Sequence, residues 1–209
     1  SLLQEAFAQA KKKNVLLYDI MTERYEISNA LQRELAQVPA IFGTLQKGTP
    51  QDPAVTKESV HHFFKYVSGE PLIRPSWFFD VKQQGEGVVD VTTHLVDLIQ
   101  WSCFPNQIID YKKDIKLLNA THSATTMTPE QFKLVTKNDT YPDYLKKDVK
   151  GKNLEVYANG QIDYTLRGVH ARASVIWNFQ APQGTGDTHY SIMKGSKANL
   201  IIRQGKEQN

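Results

Sequence analysis

The last sixty residues constrain the fold most, because they read as one strand after another. Val169 to Phe179 is long enough to cross a sheet, and Asp187–Met193 and Ala198–Arg203 flank Gly195 as a hairpin. Asn159-Gly160 sits between the runs Leu154–Ala158 and Ile162–Leu166, a strong hairpin signal because both residues tolerate positive φ. Upstream, Val55 to Tyr66 approaches apolar–polar alternation, Trp77 to Asp80 reads as a short aromatic strand, and Ile108 to about Ala124 returns to strand character. Pro129 starts a short helix that Thr128 caps. The expected architecture is α/β with α+β character: a mainly antiparallel open sheet with helices packed on one face.

The first 38 residues have another texture. Leu2, Leu3, Ala6, Phe7 and Ala10 recur at helical spacing, and Lys11–Lys13 put positive charge where a helix C-terminus favours it. Val15–Tyr18 then reads as a buried strand of a parallel sheet, and Thr22 as the cap of a helix running from Glu23 to about Gln37. This predicts the edge of a truncated dinucleotide-binding (Rossmann) domain over residues 1–38. A substrate-binding and oligomerisation domain is expected over residues 39–209. The opening at Ser1, without Met or leader and already on an amphipathic pattern, leads to the expectation of a piece of a longer chain.

Composition excludes several classes. One cysteine in 209 residues allows no internal disulfide and no cysteine-based zinc site. A net charge of +3 is no footprint for nucleic acid, and no apolar 18-mer is present to span a membrane. The compartment stays open, with a lean to the cytoplasm from the lone cysteine.

The most informative stretch runs from Gly85 to Trp101. A helix over residues 87–103 places Asp90 and His94 four apart and Asp97 three further on, along one stripe. Val91, Leu95 and Leu98 make the neighbouring stripe, which faces the core. A carboxylate beside an imidazole raises its pKa and orients its proton, which suits general acid/base work. The same spacing also fits an ordinary surface Asp–His pair.

This run resembles the Gly-Gly-x-x-x-Asp-x-x-x-His-x-x-Asp signature of the glucose–fructose oxidoreductase / inositol dehydrogenase / MocA family. The wider chain resembles the branch named "putative oxidoreductase C-terminal domain", through Tyr18–Arg24, Val60–Lys65, Arg74–Asp80, Asp187–Ser191 and Gly195–Leu200. The resemblance implies the substrate-binding half of an NAD(P)-dependent oxidoreductase acting on a sugar, cyclitol or derivative. It implies His94 as the catalytic histidine and Asp90 as the aspartate that binds substrate or orients it. It also implies homo-oligomer contacts through the open sheet. The family's Glu-Lys-Pro lysine does not occur in this sequence. Neither Gly85-x-Gly87 nor Gly184-x-Gly186 continues as a nucleotide fingerprint, since Asp90 and His189 stand where a third small residue belongs. NAD or NADP is therefore expected in the parent enzyme and not in this piece, which is expected to fold but not to turn over.

Further substrate-contact candidates are Asp97, Lys65, Arg74, Trp77 and His189. Lys65 and Arg74 read equally as binders of substrate hydroxyls or as surface charge, and Trp77 as a sugar-stacking wall or as packing. Asp187 and His189 share a strand face by period two. His61-His62 invites a metal reading, but alternation sends adjacent strand residues to opposite faces, so at most one is expected at any one site and no metal set is assembled. A non-catalytic carbohydrate-binding or oligomerisation module is the alternative reading.

Overall fold

The computed structural model describes residues 1–18 and 21–204; Asp19 and Ile20, part of the Tyr18–Arg24 match, and the last five residues lie outside the described residues. In chain order the elements begin with α1 (Leu2–Lys13), α2 (Ile27–Ala36), β1 (Val55–Phe64), β2 (Tyr66–Val67) and β3 (Glu70–Pro71). Then come α3 (Gly87–Asp90), α4 (Thr92–Cys103), α5 (Tyr111–Asp114), β4 (Ile115–Met127) and α6 (Pro129–Thr136). The chain closes through β5 (Val149–Lys150), β6 (Asn153–Leu166), β7 (Val169–Gln180), β8 (Thr188–Lys194) and β9 (Asn199–Arg203).

Among the described residues one sheet dominates, seven-stranded, in the order β4-β6-β7-β1-β8-β9 with β5 added on β6. Its pairs are antiparallel except β1 with β7, which run parallel. One face of the sheet carries Val55, Ala171, Ala173 and Met193 against Leu95 and Ile99 of α4. Further along the same strands Phe63 and Trp177 stack at 5.1 Å and close over Phe79 and over Phe132 of α6. Removing one such buried aromatic side chain costs about 3–5 kcal/mol. The opposite face leaves Ile176 half-exposed. The expected sheet with helices on one face is thus present.

Several local expectations are corrected. Asn159-Gly160 is no turn: both residues lie inside β6, paired with β4 and β7. The Asn159 carbonyl accepts from the Trp177 N–H at 2.7 Å, and its amide donates to the Thr125 hydroxyl at 2.9 Å, so the side chain ties three strands together. A Cβ on Gly160 would stand 2.0 Å from Val88, so this glycine seats α3. The turn falls instead at Arg167-Gly168, whose φ values of 52° and 81° suit a two-residue hairpin between the paired Leu166 and Val169.

Val15–Tyr18 is extended coil, not a buried strand. Its four residues are 44–81% exposed, and among the described residues no strand lies beside them to take their backbone groups. Thr22 begins a 3-10 turn ending at Tyr25, and the helix cap is Glu26, whose carboxylate accepts from the Ser28 and Asn29 N–H groups at 3.0 and 2.9 Å. Residues 76–79 form a 3-10 turn rather than a strand, which buries Phe79 and leaves Trp77 46% exposed. The helix expected over 87–103 is interrupted at Val91, and β4 starts only at Ile115, after the single turn α5.

Candidate functional site

A cleft of about 390 Å³ opens where α4 crosses the junction of β1 and β8. Ser59 and His61 enter it from β1, His94, Leu95 and Leu98 from α4, and Asp187, Thr188 and His189 from the start of β8. Glu23 and Gln204 close its rim. The alternation of β1 explains the strand residues: Val55, Lys57, Ser59 and His61 fall on one face by period two, and the first two are buried under α4 and α2.

Four polar atoms of cleft residues, Ser59 Oγ, His61 Nε2, His94 Nδ1 and His189 Nε2, are buried and have no hydrogen-bond partner among the described residues. Each such group costs about 1–3 kcal/mol in a folded protein, so a cluster in one concavity marks a place built to receive polar atoms. No group of three or more His, Cys, Asp or Glu side chains among the described residues is arranged to hold a metal ion.

Asp187 is the electrostatic anchor. The β1–β8 ladder ends at Val60 paired with Thr188, so Asp187 falls beside the end of β1, one residue past the last pair. Its carboxylate receives the Nδ1–H groups of His61 and His62, each at 3.1 Å, and the Lys65 ammonium. Burial works to raise this carboxyl, but the three donors outweigh it and hold the group well below the usual carboxylate range. The expectation that at most one of His61 and His62 joins a site is corrected here. The acceptor sits beside the strand end rather than over one face, so side chains from both faces reach it.

Burial, aided by the charge of Lys57, pulls the His189 imidazole down to about 4 and keeps it neutral at pH 7. Lys57 itself is buried on three neutral acceptors, Ser191 Oγ at 2.8 Å, Gln32 Oε1 at 3.0 Å and Asn29 Oδ1 at 3.5 Å, and burial brings it down to about 8.

The residues singled out in the sequence are distributed as follows. His94 and His189 share the cleft, and Lys65 reaches it through Asp187. Asp90 lies beyond the Val91 interruption, bordering a narrow crevice against Phe78 and Trp177. Asp97 accepts from Arg24 through both oxygens, at 2.7 and 2.5 Å, tying α4 to the turn before α2. Arg74 donates to the carbonyls of Phe63 and His62 and covers the Phe78 ring at 4.3 Å. Burial lowers its pKa, and the charges of Asp187 and Asp90 oppose that. Ser59 carried no sequence signal, and the His61–Asp187 partnership spans 126 residues, so only the β1–β8 register could have revealed it.

Gly87 also speaks to the cofactor. A Cβ there would stand 1.7 Å from the Ala158 carbonyl oxygen, so this glycine serves helix–sheet packing rather than a phosphate. In a larger hollow of about 510 Å³ near Phe132 and Tyr141, two of the lining charges are paired, Asp139 with Lys133 and Lys146 with Asp143.

The family described as "Putative oxidoreductase C terminal domain" matches residues 31–209. The chain belongs to this family. Among solved structures, this oxidoreductase C-terminal domain is similar to a putative oxidoreductase from Parabacteroides merdae, with 62% identity and a TM-score of 0.93 over 98% of this chain and 47% of that one. It shares its fold with a putative oxidoreductase from Thermotoga maritima, at 17% identity and TM-score 0.57 over 97% of this chain and 48% of that one. It also shares it with GenD2 from gentamicin A biosynthesis, solved in complex with NAD, at 16% identity and TM-score 0.55 over 94% of this chain and 42% of that one. The domain thus spans about half the length of the solved chains it matches. No curated protein matches it. No helix among the described residues is long and apolar enough to cross a membrane.

Proposed function

We propose that the chain is the substrate-binding domain of an NAD(P)-dependent oxidoreductase of the glucose–fructose oxidoreductase / inositol dehydrogenase / MocA type, acting on a sugar, cyclitol or related polyol. The observation that carries this reading is the set of unpartnered buried atoms on Ser59, His61, His94 and His189 around one cleft. The neutral His189 imidazole and the Ser59 hydroxyl meet substrate hydroxyls without the charge mismatch that an anion would bring. The 209 residues resemble the substrate half of such enzymes, and the NAD in the GenD2 structure supports a nicotinamide cofactor for the parent. Because the residues present do not fit the cofactor, its site is assigned to other parts of the parent protein.

Within the cleft, His94 takes the part of general acid/base, holding or accepting the proton of the reacting hydroxyl. Asp90, across the Val91 interruption from His94, takes the part that the resemblance implies, binding the substrate or orienting that histidine. Asp97 holds α4 in place through Arg24. The test is the parent enzyme assayed for polyol-dependent reduction of NAD(P)⁺, with and without His94→Ala. A fall in kcat of about 10²–10⁴-fold is expected for removal of a general acid/base. Unchanged turnover would contradict the assignment.

A further inference from the structure

We infer that His61 is a second substrate-contacting residue, accepting a hydrogen bond from a ligand hydroxyl through Nε2, and that Asp187 is the positioning residue that fixes it in that role. This rests on the reading of the cleft as the substrate site.

The argument starts from the carboxylate. An ionised Asp187 can only accept, so the Nδ1 atoms of His61 and His62, 3.1 Å from its two oxygens, must each carry a hydrogen. A neutral imidazole protonated at Nδ1 has its lone pair at Nε2, and His61 Nε2 is the buried atom without a partner among the described residues. The ring is fixed in a second way. It stacks on Trp177 at 4.9 Å and 28°, and Trp177 in turn stacks on Phe63 at 5.1 Å under the Arg74 guanidinium. Lys65 supplies a further donor to Asp187 and so keeps the carboxylate ionised without occupying His61.

The neighbouring His189 repeats the pattern. Its imidazole donates to the Glu58 backbone carbonyl, and Nε2 is left without a partner. Two ring nitrogens of the cleft are therefore acceptors in their neutral forms, next to the Ser59 hydroxyl. A carboxylate or phosphate would set lone pairs against lone pairs there, whereas adjacent hydroxyls of one polyol donate to both. The sequence motif around His94 assigns neither His61 nor Asp187.

The experiment is long-range ¹H–¹⁵N NMR of the histidine rings in the full chain, with glucose and myo-inositol as probes. His61 is expected as the Nδ1–H tautomer with an unprotonated Nε2, and Asp187→Ala, which leaves no acceptor at Nδ1, is expected to abolish that preference. Either probe should then shift the His61 Nε2 resonance. His61→Phe, which retains the stack on Trp177, should weaken binding about tenfold, the scale of one lost hydrogen bond. His61→Gln, which can offer an oxygen near the same place, should restore most of it. A proton on Nε2, an unchanged tautomer in Asp187→Ala, or a probe that shifts His94 and leaves His61 unmoved would overturn the inference. If neither probe moves His61, His94 or His189, the reading of the cleft as a hydroxyl-binding site fails with it.

Discussion

Two carboxylates in this molecule are surrounded by donors, and the kind of donor separates an anchor from a site. Asp80, buried at the end of the 76–79 turn, accepts from Lys147 at 2.7 Å, Gln83 at 2.9 Å and the Lys82 N–H at 3.1 Å. Those bonds, with Lys147 foremost, bring its carboxyl down to about 2. None of these donors carries a second polar atom into the cleft, so the cluster serves to hold the turn to Lys147, 67 residues along the chain. Asp187 is gripped as firmly, but two of its donors are imidazoles, and an imidazole fixed at one nitrogen presents the other. That extra atom turns an ion-pair anchor into a chemical surface facing α4.

The largest expected effect tests the frame that both regions share. Gly87→Ala puts a Cβ 1.7 Å from a backbone oxygen of β6, which no side-chain rotation relieves. Unfolding by denaturant should show a loss of about 3 kcal/mol or more, and α4, with His94, should shift away from the cleft. Stability within about 0.5 kcal/mol of the parent would refute the seating of α3 on β6.

Next comes the contrast itself. Asp80→Ala strips the turn of its buried anchor, and should cost about 2 kcal/mol without altering polyol binding. Asp187→Asn keeps an acceptor oxygen and should cost less stability, yet impair binding in the cleft. Calorimetry of both variants checks the pair, and the reverse ordering would break the distinction between anchor and site.

The two regions should also fail at different pH. The folded value of His189, about 4, lies below the ordinary 6.5. The unfolded chain therefore takes up this proton first, and stability falls as pH drops from about 6.5 to 4, by on the order of 1–3 kcal/mol. Asp80, at about 2 against 3.8, keeps its contribution above pH 3.8 and loses it as pH falls toward 2. Thermal unfolding across this range should show the earlier loss vanish in His189→Gln and the later one in Asp80→Asn. The smallest effect is Lys57→Met. Ser191 and Gln32 still bond each other at 2.9 Å, so the change should stay within about 1 kcal/mol at pH 7.

Much of this was legible in the chain, for reasons the residues make plain. The strands at 55–64, 169–180 and 188–194 announce themselves because each buries one face, and period two survives in the sequence. The helix carrying His94 was legible for the same reason at period 3.6. What escaped was every feature set by a partner far along the chain. Asn159-Gly160 carries turn chemistry, but its amide is committed to Thr125 and Trp177 and its glycine to Val88. Asp97 looks like a member of the Asp90–His94 stripe until Arg24, 73 residues upstream, takes both its oxygens. Strict alternation split His61 from His62, whereas an acceptor beside the strand end unites them.

The central claim is that the unpartnered imidazoles of this cleft exist to hold substrate hydroxyls. A crystal structure of the protein soaked with myo-inositol tests it most directly. The account predicts the polyol between α4 and the β1–β8 junction, with hydroxyl oxygens within about 3.2 Å of His61 Nε2 and of at least one of His94 and His189. A polyol seated instead in the hollow beside Phe132 and Tyr141, with the three imidazoles untouched, would contradict it.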